Sequence, residues 1–356
     1  MNEKLVHSNS VVLRIFQSHI SFYHLHMSPI YRGRFAPSPT GPLHFGSLVA
    51  AVGSYLDAKH HQGIWLVRME DLDTPRCVAG AADDILHTLD VFGLKSDEPV
   101  MFQSQRTAAY EVALQQLKES GAAYPCSCTR KEIADSGLHG IEGFVYPGTC
   151  RSGMAHQRST PAWRVRTDLM LLPPCRGKAG MGVESREQTK STPTLTLPLQ
   201  GGGNIEFDDA LQGLLSQDLE TEIGDFVVKR ADGLFAYQLA VVVDDANQGI
   251  THVVRGADLL NSTPRQIHLQ SLLGLHTPAY MHLPVAVNAT GEKLSKQTLA
   301  APVDVSQPVA TLMRVLDFLK QEPPNSILDG DVKSVLDCAV AHWDANKLQG
   351  VKMLHT

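Results

Sequence analysis

Two lysines three residues apart, in Lys293-Leu294-Ser295-Lys296-Gln297, can bring two ammonium groups onto one set of phosphate oxygens. Taken alone, such a pentapeptide reads as a solvated basic loop. Far upstream the chain carries a second stretch suited to the same task, Arg34-Phe35-Ala36-Pro37-Ser38-Pro39-Thr40-Gly41-Pro42-Leu43-His44-Phe45-Gly46-Ser47. Its prolines forbid helix or central strand over 37–42. From His44 to Ala58, Leu48, Val49, Val52, Tyr55 and Leu56 fall at spacings of three and four, the apolar stripe of a helix. The start of such a helix offers unsatisfied N–H groups and the positive end of a dipole, a seat for phosphate. Gly46 lets a nucleotide come close to the backbone. His44 can hydrogen-bond a phosphate where charge develops. Alone, this stretch reads as an ordinary capped turn; the two together, in this order and far apart in the chain, are a different matter.

Other residues could grip carboxylates or an ammonium group. Arginine grips carboxylates with paired N–H groups, and an acid holds an ammonium. Arg34 lies just before the proline loop, and Arg68-Met69-Glu70-Asp71 sits at the carboxyl end of the strand-like run that starts at Ile64. Arg255 precedes Gly256 at the end of another strand-like run, and Tyr237 offers a hydroxyl within an apolar one. Singly, each of these reads as a structural residue, Tyr237 as a core residue with a satisfied hydroxyl. Three cysteines, Cys126, Cys128 and Cys150, cluster in one stretch. Tetrahedral zinc takes four ligands, usually Cys or His, and His139 and His156 are fourth candidates by type. Three reduced cysteines in a loop would look the same.

The elements that must position these groups follow from periodicity. Residues 34–36 and Ile64–Met69 read as strands around the first helix, which makes a βαβ unit with parallel strands. Helices are expected over 79–92, 110–119, 264–273, 307–320 and 331–342, and strands over 163–166, 225–230 and 251–256. Residues 126–150 read as a glycine-rich loop. Residues 168–203 show no period of 2 or 3.6 and read as a flexible surface insertion.

His44-Phe45-Gly46-Ser47 resembles the HIGH signature, and Lys293-Leu294-Ser295-Lys296-Gln297 the KMSKS loop, of the class I aminoacyl-tRNA synthetases. The string from Ala36 to Gly46 is similar to the glutamyl and glutaminyl branch, and the likeness runs from about 33 to 297, interrupted at 168–203. It implies an α/β fold: a Rossmann-like parallel-sheet catalytic domain, a small zinc-containing insertion and a short helical C-terminal region. It implies ATP, with Mg2+, at His44, Gly46, Ser47 and Lys296, and catalysis by His44, Gly46, Lys293 and Lys296. Glutamate would meet Arg34, Phe35, Ala36, Pro37, Ser38, Glu70, Tyr237 and Arg255, with Arg34 and Arg255 on carboxylates and Glu70 on the ammonium. For Zn2+ the resemblance points to Cys126, Cys128, Cys150 and, as the fourth ligand, Tyr146.

Too few residues follow Lys296 for the helical anticodon-binding region of a full glutamyl-tRNA synthetase. In this the chain resembles the truncated paralogues, the glutamyl-Q tRNA(Asp) synthetases. That implies glutamate activation without tRNA and transfer to queuosine at the first anticodon position of tRNA(Asp). A conventional tRNA-dependent glutamyl-tRNA synthetase and an inactive tRNA-binding synthetase-like protein remain the alternatives. The expected organisation is a disordered extension at 1–30 and a first catalytic half at 31–124. An insertion or acceptor-binding region follows at 125–224, with the zinc loop at 126–150. The second catalytic half spans 225–300, and a short helical region without an anticodon-binding domain spans 301–356.

The bulk numbers agree with such an enzyme. The chain is 43% hydrophobic and 19% charged, the composition of a globular protein. A net charge of -6 argues against a sequence-blind coat for nucleic acid and leaves room for a local basic groove. Six cysteines with one cluster suit a reducing compartment. A cytoplasmic monomer with no membrane partner is expected.

Overall fold

The computed structural model describes residues 30–169, 203–294, 301–322, 324 and 330–356. The expected extension at 1–30 and insert at 168–203 lie almost wholly outside the described residues, and so does Lys296.

The first βαβ unit forms as its pattern requires. β1 (Arg32–Phe35) enters the proline loop, α1 (Phe45–His60) follows, and β2 (Ile64–Met69) returns parallel to β1, with Arg32 opposite Ile64. His44 keeps an extended backbone and caps α1, its side chain accepting the N–H of Ser47. Leu48, Val52 and Leu56, four residues apart, are shut off from water. α2 (Ala81–Val91) leads to β3 (Met101–Phe102), which lies parallel to β2.

Past α3 (Thr107–Glu119) and β4 (Ala123–Cys126) the structure differs from expectation. The presumed loop holds α4 (Arg130–Asp135) and a hairpin of β5 (His139–Gly140) with β6 (Gly143–Phe144). The cause of α4 is local: Thr129 and Glu132 form a reciprocal capping box, which satisfies the first N–H groups of a helix six residues long. β7 (Ala162–Val165) pairs antiparallel with β4. β8 (Asn204–Asp209) and β9 (Gly213–Asp218) form a hairpin, α5 (Leu219–Glu222) is a single turn, and β10 (Phe226–Lys229) pairs with β7. The chain thus contributes β8 to the main sheet and then returns to the antiparallel one.

α6 (Tyr237–Asn247), β11 (His252–Gly256), α7 (Thr263–Leu273) and β12 (Ala279–Leu283) supply a second parallel run, β11 beside β12 beside β8. β11 starts alongside β1: the N–H of Thr251 donates to the Arg32 carbonyl at 3.0 Å, and its Oγ1 accepts the Arg32 N–H at 2.8 Å. β1 connects through α1 to β2 on one side, while β11 lies on the other. Their carboxyl ends therefore flank a switch point, where open α/β sheets hold ligands.

After β13 (Val285–Val287), α8 (Pro308–Phe318) and α9 (Val332–Ala341) pack on α1. Leu312, Val315, Leu316, Val335 and Leu336 join Leu48, Val52 and Trp65 in one core. The C-terminal region is not helical throughout: β14 (Met353–His355) adds a strand parallel to β13. A second core, with Tyr110, Leu114, Val165, Phe226, Leu239 and Leu269, binds α3, α6 and α7 to the antiparallel sheet. Among the described residues no helix is long and apolar enough to cross a membrane.

Candidate active site

A cleft of about 780 Å³ opens at the carboxyl ends of β1, β2, β11 and β12. It gathers Arg34, Phe35, Ala36, Pro37, Ser38, His44, Gly46, Ser47, Glu70, Tyr237, Arg255 and Lys293, which the chain carries in five separate stretches. The proline loop is tied to the end of β2 where the Glu70 N–H meets the Pro37 carbonyl at 2.9 Å. This bond brings Glu70 beside the loop that Arg34 leads into. At the start of α1 the His44 ring reaches Ser47 through both nitrogens, Nδ1 to the backbone N–H at 3.3 Å and Nε2 to Oγ at 3.0 Å. A Cβ on Gly46 would stand 3.3 Å from the His44 ring and 3.6 Å from Ala286 Cβ. Glycine therefore keeps the helix start bare at the wall of the cleft. Lys293 projects across from β13's hairpin, and its Nζ donates to Asp258 Oδ2 at 2.5 Å.

Four charged groups lie at and beneath the floor: Arg34 and Glu70 line it, and Arg68 and Asp245 stand behind them. Arg34 donates to Asp245 from Nε at 3.0 Å and from Nη2 at 3.2 Å. Arg68, fully buried, donates from Nη1 to Asp245 at 2.7 Å and to Gln248 at 2.8 Å, and from Nη2 to Glu70 at 3.5 Å. Two arginines thus share one close carboxylate and one more distant one. Burial would raise the Asp245 carboxyl, but Arg34 and Arg68 outweigh it and hold the group below the ordinary carboxylate value. Glu70 goes the other way. Burial pushes it up to about 7, with Arg68 and Arg34 pulling down and Asp245 adding to the rise. Asp245 absorbs most of the arginines' charge, and Glu70 is left ready to ionise fully when a cation arrives.

Arg255 enters from β11. Its Nη1 donates to the Tyr237 hydroxyl at 3.4 Å, and its other nitrogens turn away from the cleft. Burial, with the Glu70 charge adding to it, raises the Tyr237 phenol, which stays a neutral hydroxyl. Asp245 was missed by sequence reasoning, although a signal was there. Asp244 and Asp245 stand inside the otherwise apolar run of α6, and two buried carboxylates require partners. Asp244 has them in Tyr110, Gln103 and Arg106.

The cysteines form a separate cluster. The Sγ atoms of Cys126, Cys128 and Cys150 lie within 4.8 Å of one another, and Cys128 and Cys150 are 3.5 Å apart. Thiolates on a tetrahedral zinc stand about 3.8 Å apart, so the spacing fits. The Tyr146 hydroxyl is 3.3 Å from Cys126 Sγ and 3.6 Å from Cys128 Sγ. Neither His139 nor His156 joins the three sulfurs; His156 is exposed and bound to Glu132. Burial raises the Cys150 thiol, but the Tyr146 hydroxyl and the Ala155 N–H outweigh it and bring it down to about 6.

Residues 31–311 match the family described as tRNA synthetases class I (E and Q), catalytic domain. The glutamyl-Q tRNA(Asp) synthetase of Dechloromonas aromatica is 54% identical over 319 residues, covering 89% of this chain and 95% of that one. That of Cupriavidus metallidurans is 56% identical over 289 residues, covering 80% and 83%. The crystal structure of glutamate-tRNA synthetase from Elizabethkingia anophelis shares the fold with a TM-score of 0.68 at 24% identity, over 92% of this chain and 68% of that one.

Proposed function

From the premise that the chain belongs to the glutamyl-Q tRNA(Asp) synthetase family of class I tRNA synthetases, we propose how its cleft works. ATP, entering with Mg2+, and glutamate react without tRNA. An α-carboxylate oxygen of glutamate bonds to the α-phosphorus of ATP, the bond to the bridging oxygen breaks, and pyrophosphate leaves with that electron pair. A hydroxyl on the cyclopentene ring of queuosine, at the wobble position of tRNA(Asp), then takes the glutamyl group, and AMP departs. Catalysis is positioning and neutralisation of phosphate charge. The start of α1, with His44, Gly46 and Ser47, seats the phosphates, and Lys293 and Lys296 meet them from the facing loop. Arg255, with Arg34 behind the loop, faces the carboxylates, and Tyr237 adds a hydroxyl. Phe35, Ala36, Pro37 and Ser38 form the wall against the substrate, and Glu70 takes the ammonium.

What carries this reading is the convergence of Arg34, Glu70, Tyr237 and Arg255 with the bare start of α1 in one cleft. ATP–pyrophosphate exchange tests it. Exchange is expected with glutamate alone and no RNA. Exchange that requires tRNA would favour a conventional glutamyl-tRNA synthetase, and none under either condition would favour an inactive binding protein.

Glu70 gives that assay a pH signature. As pH falls through about 7, the carboxyl takes up a proton and the ammonium loses its partner. The KM for glutamate is expected to rise roughly tenfold between pH 8 and pH 6, the protonated fraction expected of such a group. Glu70→Gln should raise KM at all pH values and flatten the profile. An unchanged slope in that variant would remove Glu70 from ammonium binding.

Cys126, Cys128, Cys150 and Tyr146 would hold Zn2+, which would staple the 126–150 segment as part of the acceptor-binding region. Protein purified without added metal is expected to carry about one zinc per chain. The double variant Cys128→Ser/Cys150→Ser should lose it, keep tRNA-free activation and transfer glutamate poorly. Zinc-free wild-type protein with full transfer activity would contradict this role.

A further inference from the structure

Arg255 is held from behind by a chain of buried polar groups. Its Nε donates to His282 Nε2 at 3.1 Å, and its Nη2 to Thr263 Oγ1 at 2.8 Å. For His282 Nε2 to accept, the ring proton must sit on Nδ1. Nδ1 faces Asp209 Oδ2 at 2.6 Å, and that carboxylate oxygen accepts it. Asp209 is fixed in turn: its Oδ1 accepts the N–H groups of Leu211 at 3.1 Å, Gln212 at 3.0 Å and His282 at 3.3 Å. His282 and Asp209 are 0% and 1% exposed. Burial holds the imidazole neutral against the pull of Asp209. With both ring nitrogens engaged and the ring shut off from solvent, this pair is placed to orient and not to shuttle protons.

We propose that Asp209 and His282 are positioning residues for glutamate: Asp209 selects the His282 tautomer whose Nε2 accepts from Arg255, and the chain aims Arg255 Nη1 into the cleft at the substrate carboxylate. The inference rests on the reading of Arg255 as a carboxylate contact. It extends the site to two residues on β8 and β12 that never touch substrate.

Asp209→Asn makes the test because it changes a proton and little else. The three backbone N–H groups keep the asparagine oxygen, so its NH2 faces His282 Nδ1. The ring then carries its proton on Nε2 and points a donor at Arg255. His282→Gln offers an amide oxygen that can accept from Arg255 with no tautomer to choose. In tRNA-free exchange, Asp209→Asn is expected to raise the KM for glutamate at least ~10-fold, with kcat and the KM for ATP within about threefold. His282→Gln should lose less than Asp209→Asn. The double variant should be no worse than His282→Gln, because Asp209 acts through His282. A folded Asp209→Asn with unchanged glutamate KM overturns the relay, as does an equal rise in both KM values. Should Asp209→Asn fail to fold, an unchanged glutamate KM in His282→Ala, which offers Arg255 no acceptor, overturns it instead. Arg255→Ala separates the two levels. If it leaves glutamate KM unchanged, the reading of Arg255 itself falls. If it raises that KM while Asp209→Asn and His282→Gln are silent, only the relay falls.

Discussion

Asp245→Ala is expected to lower the unfolding free energy by about 3–5 kcal/mol, the cost of leaving buried charge without its partner. Asp245 is the close carboxylate for both Arg34 and Arg68, and its removal strands two guanidinium groups that are almost fully shielded from water. A typical domain has only about 5–15 kcal/mol in hand, so urea unfolding at neutral pH should register the change plainly. The sign with pH is fixed by the direction of the shift. A carboxyl held below its ordinary value stabilises the fold at neutral pH and down to that value, and the contribution is lost as pH falls through the folded-state value. The milder Asp245→Asn should also move Glu70. With the competing charge gone, Arg34 and Arg68 pull Glu70 down, and the rise in glutamate KM should shift to lower pH. Wild-type stability in Asp245→Ala would show that the two arginines find other partners.

Lys296→Ala is expected to reduce adenylate formation at least ~100-fold, as loss of a single donor to transition-state charge does elsewhere. The start of α1 lines the same cleft as Lys293, which stands three residues before Lys296 beside Asp258. On the proposed role, in which the ammonium group meets pyrophosphate and not the amino acid, the effect should fall on kcat, with the KM for glutamate little changed. Pre-steady-state adenylate formation at saturating ATP reads this directly. A near-normal rate would remove Lys296 from the mechanism.

The parts of the fold legible in the sequence are those set by local periodicity. The spacing of Leu48, Val52 and Leu56 places α1, because burial of one face imposes that period, and the continuous apolar run Ile64–Met69 places β2, a parallel strand buried on both faces. From these two elements the parallel sheet follows, and with it the edge at which Arg34, Glu70 and Arg255 meet. What stayed hidden depends on partners far apart in the chain. Asp209 and His282 look like an unremarkable acid and histidine until β8 and β12 lie side by side. β14 is three residues long and pairs with β13, and so short a strand carries no pattern of its own. Tyr146 could be selected only by resemblance, since nothing in its residue type predicts that its hydroxyl will lie among three sulfurs.

The most direct measurement is labelled-glutamate charging of tRNA(Asp) with and without queuosine, with tRNA(Glu) alongside. Incorporation is expected only into the queuosine-bearing tRNA(Asp), at a rate limited by adenylate already formed without RNA. Equal charging of unmodified tRNA(Asp) or of tRNA(Glu) would contradict transfer to queuosine.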